Sequence, residues 1–106
     1  MLYLTNAFSI QMLNLEREIM VKFEPIKKAN VTKILRNREW KSVIGHKDTA
    51  NVVSNDLGVV VDYNREFITL EGKDVMIVAQ IEGGRLPEGS TELPENFELN
   101  YYLVES

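Results

Sequence analysis

His46 is the only histidine in the chain and stands in the string SVIGHKDTA. Imidazole is the side chain that exchanges a proton most readily near neutral pH, so His46 is the first candidate for proton transfer. It follows Gly45 and directly precedes a predicted helix, whose first N–H groups and dipole attract anions. A phosphate docked there would lie beside the ring. The alternative is a polar residue that merely begins the helix, which is the more common role of a single histidine.

A second candidate is the loop string GGRLPEG at residues 83–89, which holds Arg85 and Glu88 three positions apart. A guanidinium can hold a phosphate with two parallel hydrogen bonds, and a carboxylate can orient a hydroxyl or take its proton. Pro87 stiffens the backbone, and the glycines allow conformations that other residues avoid. The alternative is a solvated turn with an ordinary ion pair, which contributes little to stability.

Three further polar residues stand at the ends of predicted strands. Asn6 and Ser9 follow the first strand, and Arg65 precedes a later one. Loops at strand ends often hold ligands, so Asn6 and Ser9 are candidate ligand contacts and Arg65 is a candidate second phosphate contact. Asn and Ser are equally typical of local turns, and an arginine is equally at home on the surface. Both interpretations stay open at this point.

Composition excludes several kinds of chemistry. The chain has 106 residues, of which 44% are hydrophobic and 26% charged, as in an ordinary globular domain. It has no cysteine and one histidine, so neither a thiol nucleophile nor a transition-metal site is supported. Neither a Walker-type phosphate loop nor a G-x-S-x-G motif occurs. We therefore expect one domain over residues 1–106, without a metal or cofactor.

Charge and hydropathy limit the partners. The net charge is −4, with nine basic and five acidic residues in positions 1–50 but three and eleven in the remainder. This balance does not favour binding to duplex nucleic acid, although a small enclosed anion can still be bound locally. The longest apolar runs, such as residues 75–79, are far shorter than the roughly 18 residues that span a bilayer. With no signal peptide visible, a cytoplasmic protein without membrane contact is predicted.

The order of predicted elements is that of an α+β fold with a central sheet of about five strands and flanking helices. Alternating and continuous apolar patterns predict the strands, and i, i+3, i+4 spacing predicts the helices. The first half has strands at residues 1–5 and 18–23, the second ended by Pro25, a turn at 6–9 with a short helical segment to Leu13, and a helix capped by Asn30.

The second half begins with a helix from His46 or Lys47 to Gly58, a residue suited to a left-handed helix end. Strands at residues 66–70 and 75–81 are joined by a turn at Gly72 and form a predicted hairpin. Residues 75–81 are almost continuously apolar, as in a central strand. Residues 82–96 are predicted as a loop and 97–104 as the closing strand.

Four strings occur together in one order: LTNAFSIQML, SVIGHKDTANVVSNDLG, NREFITL and VAQIEGGRLPEG. In this order and spacing the chain resembles the small viral ring nucleases that act as type III CRISPR antagonists, a family with bacterial relatives. The resemblance covers nearly the whole chain and is weakest over residues 25–41 and after Gly89. The combination of IGH-x-x-TA, NR and RLPEG is specific, whereas each motif alone is weak.

The resemblance implies a substrate, an assembly and a reaction. The substrate is cyclic tetra-adenylate, the ring-shaped messenger of type III CRISPR defence, bound in a cleft between the subunits of a homodimer. The reaction is metal-independent cleavage to linear di-adenylate in the cytoplasm of a prokaryotic cell, by a protein that either a virus or the host encodes. A binding protein that sequesters the ring without cutting it, and a protein that blocks a partner by surface contact, are the alternatives.

The resemblance also assigns residues. His46 and Glu88 match the catalytic pair, and the implied substrate-binding residues are Asn6, Ser9, Thr49, Arg65, Gln80 and Arg85. A 2′-hydroxyl would attack the adjacent phosphorus, and protonated His46 would give a proton to the expelled 5′-oxygen. Lys47 and Asp48 depart from the small polar pair of some relatives, and Asp48 is unfavourable near phosphate unless it points away. Pro94 and a short segment replace most of a helix that some relatives carry after RL-x-EG.

Overall fold

The chain forms one five-stranded sheet and two α-helices. A computed structural model describes all residues, 1–106. In chain order the elements are β1 (Leu2–Thr5), a 3-10 turn (Ile10–Met12), β2 (Lys22–Ile26), α1 (Lys28–Asn37), β3 (Trp40–Ser42), α2 (Lys47–Leu57), β4 (Val75–Glu82) and β5 (Glu98–Glu105). The predicted α+β class and the number of strands are confirmed. Neither helix combines the length and apolar character that crossing a bilayer requires.

The sheet is mixed, with strand order β2-β5-β4-β1-β3. β1 pairs in parallel with both β3 and β4, whereas β5 is antiparallel to β4 and to β2. The carboxyl ends of β1, β3 and β4 therefore meet at one edge of the sheet. In sheets with parallel strands this edge is the usual place for a ligand, because the loops that follow the strands converge there.

Both α-helices pack on the same face of the sheet. Ala50, Val53 and Leu57 of α2 are buried at the helical spacing that the sequence predicted. The core on this face consists of Leu2, Leu4, Val31, Leu35, Ile44, Ala50, Val53, Leu57, Val61, Ile77, Ala79 and Tyr101. The helices do not flank the sheet on both sides, because the other face is covered by irregular chain.

That second face is covered by residues 66–70, which were predicted as a strand, together with Phe8, Met12, Leu13 and Val21 from the segment before β2. Ile68 and Leu70 are buried there against Met76, Val78 and other sheet residues, while Phe67 is 68% exposed. The predicted alternation is therefore real, but the strand and its hairpin are wrong. β4 already has β1 and β5 as its two partners, so no edge is open to residues 66–70. Alternating apolar and polar residues indicate that one side of a segment is buried, but they do not indicate whether the segment pairs with a strand or packs on a sheet.

Three features differ from prediction, the first being β2, which spans residues 22–26 and not 18–23. Pro25 lies inside β2 instead of ending it, because β2 is an edge strand and tolerates a missing N–H on its open side. Lys27 and not Asn30 occupies the N-cap position of α1, without a side-chain hydrogen bond, and Asn30 donates its backbone N–H to the carbonyl of Lys27. β3 was not predicted, since a three-residue strand is too short to show a period.

Other elements agree with prediction. Ser9 caps the 3-10 turn, and Gly58 ends α2 with a left-handed φ of 68°. β4 occupies the continuously apolar segment and extends one residue beyond it, to Glu82. β5 is displaced by one residue from the predicted closing strand. These elements carry the loops that form the site.

Candidate functional site

A cavity of about 340 Å³ opens where the carboxyl ends of β1 and β4 meet the amino end of α2. Asn6 follows β1, His46 and Thr49 belong to the start of α2, Gln80 lies near the end of β4, and Arg85 follows β4 on its loop. Parallel pairing of β1 with its neighbours brings these distant positions together. Five of the eight residues that the sequence singled out therefore line one cavity.

His46 is both the N-cap of α2 and an exposed wall of this cavity. Its ring Nδ1 accepts a hydrogen bond from the backbone N–H of Thr49 at 3.4 Å, and the hydroxyl of Thr49 lies 3.3 Å from the same nitrogen. The two interpretations of His46 that the sequence left open, helix cap and cavity residue, thus hold together. Nδ1 is engaged by α2, so Nε2 is the ring nitrogen that is left to bond with a ligand.

Arg65 is held next to the cavity by pairing between two distant segments. Asn64 donates its backbone N–H to the carbonyl of Ile44 at 2.9 Å and its side-chain amide to the carbonyl of Ser42 at 2.7 Å. A Cβ built on Gly45 would lie 3.1 Å from Cγ of Arg65, so this arginine packs directly against the residue before His46. This positioning role of Asn64 was not predicted from the sequence, because its partners lie about twenty residues away.

Glu88 is exposed and does not line the cavity, but its loop is attached to α2. The backbone N–H of Gly89 donates to Oδ2 of Asp48 at 3.1 Å. This contact holds the loop that carries Glu88 against the first turn of the helix that His46 caps. It also gives Asp48, which sequence reasoning found unfavourable near phosphate, a backbone partner on the loop. Asp48 in the first turn further complements the helix dipole.

Ser9 is not brought to the cavity. Its hydroxyl accepts a hydrogen bond from the backbone N–H of Gln11 at 3.2 Å and caps the 3-10 turn. Of the two interpretations of Ser9, the local turn is the one seen in the structure. Asn6, from the same string, does line the cavity.

The cations around the cavity have no acidic partners. The salt bridges of the chain engage the N-terminus, Lys22, Lys28 and Lys41, and neither Arg65 nor Arg85 takes part in one. Together with the amino end of α2, these two guanidiniums create a local positive field in a chain of net charge −4. No group of three or more His, Asp or Glu side chains is arranged to hold a metal ion. The arrangement suits a small phosphate-bearing ligand.

The clearly perturbed acids and phenols lie away from the cavity. A hydrogen bond from Lys41, at 2.8 Å, lowers the pKa of Glu66. The backbone N–H of Glu71 and the N-terminal ammonium lower the pKa of Asp74. Burial, and a hydrogen bond from its hydroxyl to Asp56, raise the pKa of Tyr101. These shifts report structural contacts between elements.

Comparison with known proteins extends over nearly the whole chain. The model of the STIV B116-like family matches residues 2–103. Among solved structures, B116 of Sulfolobus turreted icosahedral virus is similar with a TM-score of 0.82 and 26% sequence identity, over 99% of this chain and 98% of that one. A search of curated proteins finds no significant match.

Proposed function

The chain belongs to the STIV B116-like family, and from this premise we propose that it is a metal-independent ring nuclease. Its substrate is cyclic tetra-adenylate, its product is linear di-adenylate, and its effect is to antagonise or tune type III CRISPR signalling in the cytoplasm of a prokaryotic cell. The substrate and the reaction rest on the sequence resemblance described above. The geometry of the cavity supports them independently at the level of phosphate binding and proton transfer.

The observation that carries the proposal is the meeting of His46 and Arg85 in one cavity at the amino end of α2. An arginine without an acidic partner and a helix N-terminus bind a phosphate, and an exposed imidazole beside it exchanges a proton. Arg65, packed on Gly45, adds a second cation at the margin. This combination is what cleavage of a phosphodiester needs when no metal supplies the positive charge.

In the proposed reaction the 2′-hydroxyl oxygen of one nucleotide attacks the adjacent phosphorus in line. The P–O2′ bond forms, the bond from phosphorus to the 5′-oxygen breaks, and His46 donates the proton that the departing oxygen needs. Glu88, once its loop is drawn toward the ring, orients the attacking hydroxyl and accepts its proton, and solvent later returns His46 and Glu88 to their starting protonation states. The product ends are a 2′,3′-cyclic phosphate and a 5′-hydroxyl, so atoms and protons balance.

A homodimer explains the length of the product. Two-fold symmetry places two copies of the site against opposite phosphates of a four-membered ring, and each copy makes one cut. One histidine per chain then suffices to divide the ring into two equal parts. Gln80 and Asn6 line the cavity beside His46, and in the proposed complex they contact polar groups of the nucleotides.

A ring-binding protein without nuclease activity is the second candidate, because Glu88 lies outside the cavity. Both functions need the cavity, and only cleavage needs His46 and Glu88. The test is prolonged incubation with cyclic tetra-adenylate in the presence of a chelator, followed by chromatography. Linear di-adenylate is expected from the wild type, with strongly reduced yield from Glu88→Gln.

Recovery of the intact ring, together with a thermal shift on its addition, would overturn the nuclease and leave the binding protein. Recovery of the intact ring without any thermal shift would overturn both and favour a protein that acts through surface contact. Loss of cleavage only in the presence of chelator would contradict the metal-independent reaction.

A further inference from the structure

We propose that Thr49 is a positioning residue for His46, and not a ligand of the substrate as the family resemblance implies. It holds the imidazole so that Nε2 serves the reaction while Nδ1 stays paired with the hydroxyl of Thr49. This inference rests on the proposed nuclease function for its kinetic consequence. Its structural part, the pairing of Nδ1, is independent of any activity.

The contacts of Thr49 are directed at the histidine. Its backbone N–H and its hydroxyl approach Nδ1 of His46 at 3.4 and 3.3 Å. The residue is 7% exposed, although it contributes to the cavity wall, whereas His46 itself is exposed. A nearly buried hydroxyl next to a ring nitrogen has little surface left to offer a ligand. Thr49 therefore acts on the substrate through His46.

The two groups of Thr49 differ in what they can do. A backbone N–H only donates, so it can pair with Nδ1 only when that nitrogen carries no proton. A hydroxyl donates or accepts by rotating its hydrogen, so it can pair with Nδ1 in either state. When His46 acts as an acid through Nε2, Nδ1 carries a proton before the transfer and still carries it afterwards. Throughout that step the hydroxyl of Thr49 is the partner that can accept from Nδ1.

No other group competes for this position. The charged residues of the elements that meet at the ring are Arg85 and Glu88 on the loop after β4, Arg65 against Gly45, and Lys47 and Asp48 in the first turn of α2. The hydrogen bonds of the ring are those with Thr49 alone, and Asp48 is engaged by the backbone of Gly89. Removal of the Thr49 hydroxyl thus leaves a protonated Nδ1 facing a backbone donor.

The test compares Thr49→Val, which keeps the shape but removes the hydroxyl, with Thr49→Ser, which keeps it. Thr49→Val is expected to lower kcat by roughly tenfold to a hundredfold, the effect of removing a hydrogen bond to a charged group, with KM nearly unchanged. Thr49→Ser is expected to recover most of that loss. An increase in KM with kcat preserved would overturn the proposal and make Thr49 a substrate ligand, and unchanged kinetics would also overturn it.

A spectroscopic measurement separates this proposal from the nuclease proposal. Because His46 is the only histidine, nitrogen-15 labelling of histidine reports this ring without assignment. At acidic pH the signal of the Nδ1 proton should be visible in the wild type and in Thr49→Ser, because the hydrogen bond to the hydroxyl protects the proton from solvent exchange. In Thr49→Val that protection is absent, and the signal should disappear through rapid exchange. Rapid exchange of the Nδ1 proton in the wild type would overturn the pairing, even if cyclic tetra-adenylate is cut. A protected proton in a protein that leaves the ring intact would uphold the pairing and reject only the nuclease.

Discussion

At the scale of single residues, His46 combines a structural task with the chemical task that we propose for the same ring. Nδ1 caps α2, and the ring forms part of the cavity wall. Capping orients the imidazole without a dedicated partner from another element. The arrangement also means that an alanine substitution would mix two effects, loss of the cap and loss of the proton donor. Substitutions that keep the cap can separate them.

His46→Asn is expected to abolish ring cleavage while leaving the free energy of unfolding within about 0.5 kcal/mol of wild type, because asparagine is among the best N-cap residues. His46→Ala is expected to abolish cleavage and also to lower the free energy of unfolding by about 1 kcal/mol. Chromatography of the products and urea unfolding measure the two quantities. Cleavage at the wild-type rate by His46→Asn would remove the histidine from the mechanism.

At the scale of elements, the loop that follows β4 is positioned by a close backbone approach. Gly83 and Gly84 both have positive φ, 124° and 127°. A Cβ on Gly83 would lie 3.0 Å from Cα of Phe97, whereas the nearest atom to a Cβ on Gly84 is 3.8 Å away, at the far end of the ring of Phe97. The start of the loop that carries Arg85 therefore packs tightly against the chain just before β5.

Gly83→Ala and Gly84→Ala form a matched pair for testing this approach. Gly84→Ala is expected to cost about 1–3 kcal/mol, the strain of an unfavourable backbone conformation. Gly83→Ala adds a clash with backbone atoms and is expected to cost clearly more. Urea unfolding compares the two. Equal losses would show that the contact with Phe97 does not position the loop.

Asp56 joins the two helices and β5 through polar contacts on the face of the sheet that the helices cover. The hydroxyl of Tyr101 on β5 donates to Oδ2 of Asp56 on α2 at 2.7 Å, and Nζ of Lys28 on α1 lies 3.4 Å from Oδ1. Burial and this hydrogen bond raise the pKa of Tyr101 above its ordinary value of 10.0. The folded state thus holds the phenol in its neutral form where an unfolded chain would ionise it.

Tyr101→Phe is expected to lower the free energy of unfolding by about 1–2 kcal/mol near neutral pH. Since the pKa is raised on folding, wild-type stability is retained below about pH 10, where the unfolded phenol ionises, and falls as pH rises further. The variant should lack that part of the alkaline loss. Urea unfolding from neutral pH to pH 11 or so is the measurement, with Tyr102→Phe as the control on the adjacent residue. An unchanged alkaline slope in Tyr101→Phe would contradict the assignment.

At the scale of the whole molecule, charge is separated by region. The net charge of −4 opposes general binding of nucleic acid, while the unpaired arginines and the amino end of α2 attract phosphate at one edge of the sheet. Two such edges brought together by a two-fold axis would enclose a small ring on a surface that repels longer nucleic acids. The proposed homodimer would have twice the 12.2 kDa mass of one chain.

Mixed dimers test the pairing of sites. A dimer with one wild-type chain and one His46→Asn chain, co-expressed with two different affinity tags, has one competent site. It is expected to accumulate linear tetra-adenylate, which the wild-type dimer converts rapidly to di-adenylate, because each site makes one cut. Chromatography at early times gives the ratio of the two products. A ratio equal to that of the wild type would contradict two sites acting on one ring, and a monomeric mass in solution would reject the dimer itself.

The sequence by itself determined the helix ends and the central strand of this protein. The cap at His46, the left-handed glycine at Gly58 and the apolar run that becomes β4 were all predicted, because caps, φ signs and burial depend on neighbouring residues. The order and spacing of the motifs likewise indicated the family, because both can be read from the sequence without knowing which segments contact each other. The roles of Glu88 and of the substrate contacts stay predictions.

Only the tertiary structure decided which segments meet. Residues 66–70 alternate as a strand does, yet they cover a face of the sheet and do not pair with a strand. The sequence pattern could not distinguish the two, because both bury every second side chain. Arg65 reaches Gly45 through pairing of segments about twenty residues apart, and Thr49 turns its hydroxyl to His46 instead of to open solvent. Hydrophobic patterns specify that a side chain is buried, while hydrogen bonding between distant backbones specifies which partner it meets.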